Sequence, residues 1–307
     1  MRVSTSMIFS QGLTNLQQQQ TTILQAQQQI ATGVKLTNPA DDPVAFATAS
    51  NLSVYTSKQN QYSTNIDTAT GKVQVQESTL GSITSILQNV RDVAIQANNS
   101  AQSPTSLAAL TDQLGQLREA LASQINAKDE RGEYLFSGTA ARQQPYDAAG
   151  VLNPNVASAG TVKLAIADNQ SATINQPAGQ IFQLTSSATA GGGSASILQV
   201  IDQLQAAITA QPANLQTVYQ NAQQDLDNVM NQVTDARGGM GNTLNTLSAA
   251  KDSNAALNVV NQQTLSNLRD TDMATAVTKL NQSYLNLQAT QQSMVKIQGL
   301  SLFNYLR

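Results

Sequence analysis

Asp41-Asp42 and Asp270-Thr271-Asp272 are places where carboxylates stand close enough in sequence to share a divalent ion or to divide acid and base work. Each pair also has a plainer reading. Asp42 precedes Pro43, and aspartate followed by proline suits an N-cap with proline at the first helical position. Asp270 and Asp272 precede an apolar-periodic run and read the same way. Asp41, Asp42, Asp270 and Asp272 are therefore expected to cap helices at the junctions between segments, with no metal. Gly191-Gly192-Gly193 could cradle a phosphate, but the Lys-Ser/Thr that a phosphate loop requires does not follow it. It reads as a flexible linker. Gly238-Gly239-Met240-Gly241 lacks the preceding strand of a dinucleotide fingerprint.

The 307 residues include no His and no Cys. Ser-His-Asp and Cys-His catalysis are excluded within the chain, as are thiolate zinc sites and a disulfide framework. No constellation of acid, base and ligand emerges, so neither an enzyme nor a cofactor is expected. Charged residues make up 11%, against roughly 25% in an ordinary soluble domain. The formal net charge of −3 leaves no basic footprint for nucleic acid or an anionic membrane. No run approaches the roughly 20 apolar residues of a transmembrane helix. Residues 1–10 lack the continuous apolar stretch of a signal peptide. Export, if it occurs, is expected to use a route that reads no cleaved signal.

Heptad spacing positions everything else. A 3-4 alternation runs Leu13, Leu16, Gln20, Ile23, Gln27, Ile30, Val34. A narrow apolar stripe of this kind marks a coiled-coil strand. It stops at Thr32-Gly33 and the turn-rich Thr37–Pro43, where a new helix is expected. A second helix, from about residue 58 to 100, carries Val73, Leu80, Ile83, Leu87, Val90, Ala94 and Ala97. A third carries Leu107, Leu110, Leu114, Leu117, Leu121 and Ile125. Between about Ser137 and Ser194, Pro and Gly punctuate short alternating stretches. Thr161–Ala167, Ser171–Ile174 and Ile181–Leu184 are predicted strands there. Helical pattern resumes at Ile197, and Gly238–Gly241 are expected to mark a bend or a close crossing. The last segment repeats the design of the first, with Met273, Val277, Leu280, Tyr284, Leu287, Gln291 and Met294 as its seam. It ends in Leu300, Leu302, Phe303, Tyr305 and Leu306, a dense apolar tail.

The expected fold is thus mainly α: long coiled-coil helices from both termini forming a layered rod, with a small β-rich inserted outer domain. The expected division is 1–45 with 270–307 as a terminal coiled coil, 46–138 with 195–269 as a helical body, and 139–194 as the insertion. Leu13, Leu16, Ile23, Ile30, Val277, Leu280, Tyr284, Leu287 and Met294 are the predicted assembly seam.

Ile30–Leu36 followed by Asp41-Asp42-Pro43-Val44 resembles the N-terminal motif of the bacterial flagellin superfamily. Gln88–Asn98 is similar to that family's central helical stretch, and Arg237–Asn245 resembles its second-half Arg…Gly…Asn segment. Two features are similar to the branch that joins hook to filament: Arg131–Thr139, and the ending Gly299–Tyr305. The final Arg307 resembles the close of a filament flagellin instead. A filament subunit therefore stays open as a reading. So, from a different class, does a soluble coiled-coil tip protein of a secretion apparatus.

The resemblance implies an extracellular structural subunit of the flagellum, exported through the flagellar type III apparatus. Its implied partners are further copies of itself in a ring, the other hook-associated junction protein, flagellin and a flagellar export chaperone. Leu300, Leu302, Phe303, Tyr305 and Leu306 are the expected chaperone and assembly tail. Arg91 and Gln96 fall where the family resembles a site for host receptors, although a solvated helix face is the plainer reading.

Overall fold

Positions 59, 62, 66, 69, 73, 76, 80, 83, 87, 90, 94 and 97 are all buried, an unbroken 3-4 alternation along one helix. That helix is α2, Pro43–Ala97. The computed structural model describes residues 5–99, 102–212 and 214–305; side chains 5, 6, 8, 9 and 297–305 are not among those described. The sequence predicted a helix start at Pro43 and a separate long helix from about 58. The two are one helix of 55 residues, because nothing between 43 and 70 is Gly or an internal Pro and the alternation never lapses.

The mainly α chain divides into two compact units, 1–58 with 256–307 and 59–255. The second unit holds the contiguous apolar core. In it α2 runs alongside α7, Leu215–Arg269, which buries Tyr219, Ala222, Leu226, Val229, Val233, Ala236, Met240 and Leu247 at the same alternation. Ion pairs Asp67–Lys251, Glu77–Arg237 and Arg91–Asp227, at 2.8, 2.7 and 3.1 Å, fix the pair as antiparallel and set its register. Residues 238–241 do not break α7. Gly239 instead lies under the insertion, where an added Cβ would come within 3.3 Å of Gln176 Nε2.

Helix α3, Pro104–Ile125, packs on α6, Ile197–Ala210. Ser103 caps α3, and Ser196 with Gln199 forms a reciprocal capping box on α6. Arg118 joins the two helices, grasping both oxygens of Asp202 at 2.6 and 2.9 Å and donating to the Ala148 carbonyl.

The insertion carries two small antiparallel hairpins and two one-turn helices, α4 (Pro154–Ala157) and α5 (Ala178–Ile181). β1 (Lys163–Ala167) pairs with β2 (Gln170–Thr173), with Lys163 opposite Thr173 and a bulge after Ala165. β3 (Gln183–Leu184) pairs with β4 (Ala195–Ser196). The stretch expected as a third strand, Ile181–Leu184, is half helical turn and half strand. Tyr146, Val156, Ile166, Ile174, Ile181, Phe182 and Leu184 all enter the same buried cluster as the helices.

The first unit has little comparable core. Helix α1, Thr5–Thr32, packs against α8, Met273–Tyr305. Its buried apolar side chains are Ile23, Ala26, Ala49 and Ala276 among the described residues.

Candidate assembly surface

Helices α1 and α8 meet through Ile23 and several small side chains. Ile23, Ala26, Ala276 and Ser283 are the buried positions, and a Cβ added to Gly12 would lie 3.7 Å from Met294 Sδ. Leu16, Ile30, Leu280, Leu287 and Met294 are half-buried beside this strip, and Leu13, Val277 and Tyr284 are exposed. Gln27, a polar break in the apolar alternation, donates from Nε2 to the Tyr284 hydroxyl at 2.8 Å across the pair. Ala26, Ala276 and Ser283 were not singled out from sequence, since a search for large apolar residues at 3-4 spacing passes over them.

The turn between α1 and α2 is tied to the link between α7 and α8. Val34 and Asp270 form an antiparallel bridge. The Lys35 N–H donates to the Arg269 carbonyl at 2.7 Å, and the Thr271 N–H donates to the Gly33 carbonyl at 2.9 Å. Lys35 Nζ adds a bond to the Asn267 carbonyl. Gly33 has φ +70°, a conformation glycine adopts at no steric cost and one that turns the chain out of α1.

Four aspartates organise these links. Asp42 accepts from the Val44 and Ala45 N–H groups at 3.1 and 2.9 Å, with Pro43 at the first helical position of α2. Asp272 accepts from the Ala274 N–H at 3.0 Å and from the Thr275 hydroxyl at 2.7 Å at the start of α8. The Thr275 hydroxyl, with the backbone N–H groups of Thr275 and Ala274, holds the Asp272 carboxyl below the ordinary aspartate value. Asp41 accepts from Asn38 N–H and the Thr37 hydroxyl, closing the turn before α2. Asp270 sits in the bridge to Val34 and accepts from the Ser266 hydroxyl. A carboxylate engaged by N–H donors at a helix start stabilises that start through both hydrogen bonds and the helix dipole.

Large apolar side chains also stand exposed on this unit, among polar ones. Val44, Val54, Val259, Val260, Leu24, Leu285 and Val295 are exposed by 60–76%. Each lies off the 3-4 seam, so heptad spacing gives no sign of them. The backbone of α8 continues to Tyr305, but the side chains of Leu300, Leu302, Phe303 and Tyr305 are not among those described, and Leu306 lies outside the described residues.

Comparison with known proteins gives this geometry its context. The bacterial flagellin N-terminal helical region matches residues 3–141, and the flagellin C-terminal helical region matches residues 223–306. Flagellar hook-associated protein 3 of Escherichia coli is 29% identical over 315 residues, covering 99% of this chain and 99% of its own length. A flagellin of Clostridium tyrobutyricum is 22% identical over 139 residues, 45% of this chain and 37% of its own. The crystal structure of the flagellar junction protein FlgL from Legionella pneumophila has the same fold, with a TM-score of 0.57 at 14% identity over 73% of this chain and 100% of that one. The likeness to hook-associated protein 3 runs through the insertion as well as both ends, whereas the flagellin likeness stops short. The chain belongs to the flagellin family, with its full-length likeness on the hook-associated protein 3 branch.

Proposed function

We propose that this chain is a structural subunit of the bacterial flagellum that forms the junction between hook and filament, and that it works through association rather than catalysis. The observation that carries the reading is where exposed apolar surface lies. Among the described residues, 13 of the 16 exposed large apolar side chains fall in the unit made of 1–58 and 256–307, and only Val75, Ile95 and Val151 fall in 59–255. A soluble monomer gains nothing by leaving one unit so poorly covered. An assembling subunit gains a contact in every copy, each buried side chain contributing about 1.5–3 kcal/mol.

In this reading copies of the chain form a ring in the axial structure outside the cell. The other hook-associated protein lies on one side and flagellin on the other. An export chaperone covers the Leu300–Leu306 tail beforehand. The terminal coiled coil would be the inner layer, the helical body the next and the insertion the outer. Electron microscopy of cells lacking this protein tests the reading. Hooks that carry the preceding junction protein but no filament are expected, and normal filaments on such cells would refute it.

A further inference from the structure

Asp225 is a fully buried carboxylate on α7, and none of its partners carries a positive charge. Its oxygens accept from the Ser187 hydroxyl at 2.6 Å and from the N–H groups of Ala188 and Thr189 at 2.8 and 2.9 Å. The segment that supplies these donors is a closed loop. The Ser187 N–H donates to the Gly193 carbonyl and the Gly192 N–H to the Ser187 carbonyl, both at 2.8 Å. Ser187 Oγ also accepts from the Ala190 N–H. Gly191 and Gly192 adopt φ of +63° and +91°, which lets the chain reverse so tightly. One helical turn before Asp225, Asn221 donates from Nδ2 to the Ala188 carbonyl at 3.0 Å.

A burial this deep requires the carboxylate's charge to be matched by oriented donors. Consecutive backbone N–H groups that converge on one point form an anion-binding concavity. A charged acceptor makes each of those bonds stronger than a neutral one would. The loop has few other anchors: residues 191–194 are exposed, and its only apolar contribution to the core is the part-buried Ala190.

We infer that residues 187–190 form a carboxylate-binding nest, that Asp225 is its built-in occupant, and that this internal ion-and-nest contact clamps the glycine loop of the insertion onto α7. The site takes a small carboxylate: two oxygens, one facing the Ala188 N–H and the other shared by Ser187 Oγ and the Thr189 N–H. This does not depend on the flagellar reading.

The test is chemical rescue in the full chain, read by amide hydrogen exchange. In Asp225→Ala the amides of Ala188 and Thr189 are expected to exchange at least tenfold faster in chloride, while the buried face of α2 keeps its protection. Excess sodium formate, at ionic strength matched with sodium chloride, is expected to refill the nest and slow those amides again. Unchanged exchange in Asp225→Ala would overturn the inference. So would acceleration that formate and chloride leave equal, since that describes lost packing and not an empty anion site. Should Asp225→Ala not fold, Ser187→Ala gives a second reading. It keeps the carboxylate and its two backbone donors, so exchange should quicken at Ala190, which loses its acceptor, and stay slow at Ala188 and Thr189. Equal loss of protection at all three amides would overturn it.

Discussion

Phe182 lies in the insertion and Phe136 just before it. Their rings meet edge to face, 5.5 Å between centroids and at 88°. Both are fully buried in one cluster with Ile125, Leu198 and Ile201. Truncating Phe182 to Ala should therefore destabilise unit 59–255 as a whole. A buried Phe→Ala change costs about 3–5 kcal/mol. The edge-to-face pair contributes about 0.5–1.5 kcal/mol of coupling beyond area. A double-mutant cycle of Phe136→Ala and Phe182→Ala should recover that coupling, because each variant removes the same contact.

Urea unfolding followed by far-ultraviolet circular dichroism measures this, since α2, α3, α6 and α7 supply most of the helical signal, with α1 and α8 supplying most of the rest. The expected result is a lower midpoint for the major helical transition, that of unit 59–255, in both variants. A helical transition unmoved by Phe182→Ala would refute the reasoning. It would mean that the insertion melts on its own and that the shared cluster is a matter of proximity. Gly- and Pro-rich borders around the insertion make residues 142–192 look replaceable by a short linker without loss of the helical body. The packing argues the opposite, because excision would leave Phe136 without its partner ring and the rest of that cluster open.

Further outcomes follow from the same contacts. Arg118→Ala should cost about 1.5–3 kcal/mol, the range for hydrogen bonds to charged groups, and Arg118→Lys should fail to restore it because an ammonium cannot hold both Asp202 oxygens in one fork; urea midpoints check both. The start of α8 should fray in acid. The folded pKa of Asp272 is depressed, so its contribution is complete above the ordinary value of 3.8 and is lost as pH falls below that through the folded value; amide exchange at Ala274 and Thr275 against pH reads it. Val259→Ser with Val260→Ser should change monomer stability by no more than about 0.5 kcal/mol each and still abolish filament growth in complemented cells. Leu302→Ser with Phe303→Ser should leave monomer melting unchanged while chaperone binding and filament growth both fail; a double variant that binds chaperone and supports normal filaments would remove the tail from the assembly reading.

The helical architecture could be read from the sequence where burial selects large side chains. Val73, Leu80, Ile83, Leu87, Val90, Ala94 and Ala97 were all picked out by spacing and are all buried. Gln76 occupies the same register, but a polar residue carries no signal in an apolar alternation. It is nonetheless 3% exposed, its Nε2 donating to the Leu135 carbonyl at 2.6 Å. Spacing reports which face is covered, but it does not report a polar residue covered for a hydrogen bond. The strands of the insertion were less legible. β3 and β4 have two residues each, too few for an alternation to register. Asp225 gave no signal either, since its donors lie 36 to 38 residues away in a loop that reads as a linker.

The α1–α8 pair shows why a seam inferred from size overlaps only partly with the strip that packs: Ile23 belongs to both, whereas Ala26, Ala276 and Ser283 belong to the strip alone. The side chains between the two helices can be small, and small ones let the backbones close up, as Ala26, Ala276, Ser283 and Gly12 do. Larger residues such as Leu16, Ile30, Leu280 and Leu287 are then pushed to the rim, half covered by one partner helix and half open. Leu13, Val277 and Tyr284 lie further out still. A rim of half-covered Leu and Ile is stable only weakly by itself, since each side chain realises a fraction of its burial energy. The remaining fraction is available to whatever packs next. The same residues therefore serve two interfaces in turn: within the chain they hold α1 to α8, and between chains their open halves join Leu24, Leu285 and Val295 as surface still to be buried. Replacing Leu280 and Leu287 by Ala separates the two roles. Loss of α1–α8 pairing in the monomer, seen as faster amide exchange in α1, should accompany loss of assembly. Retained pairing together with normal assembly would show that the small-residue strip alone holds the pair and that the rim contributes to neither interface.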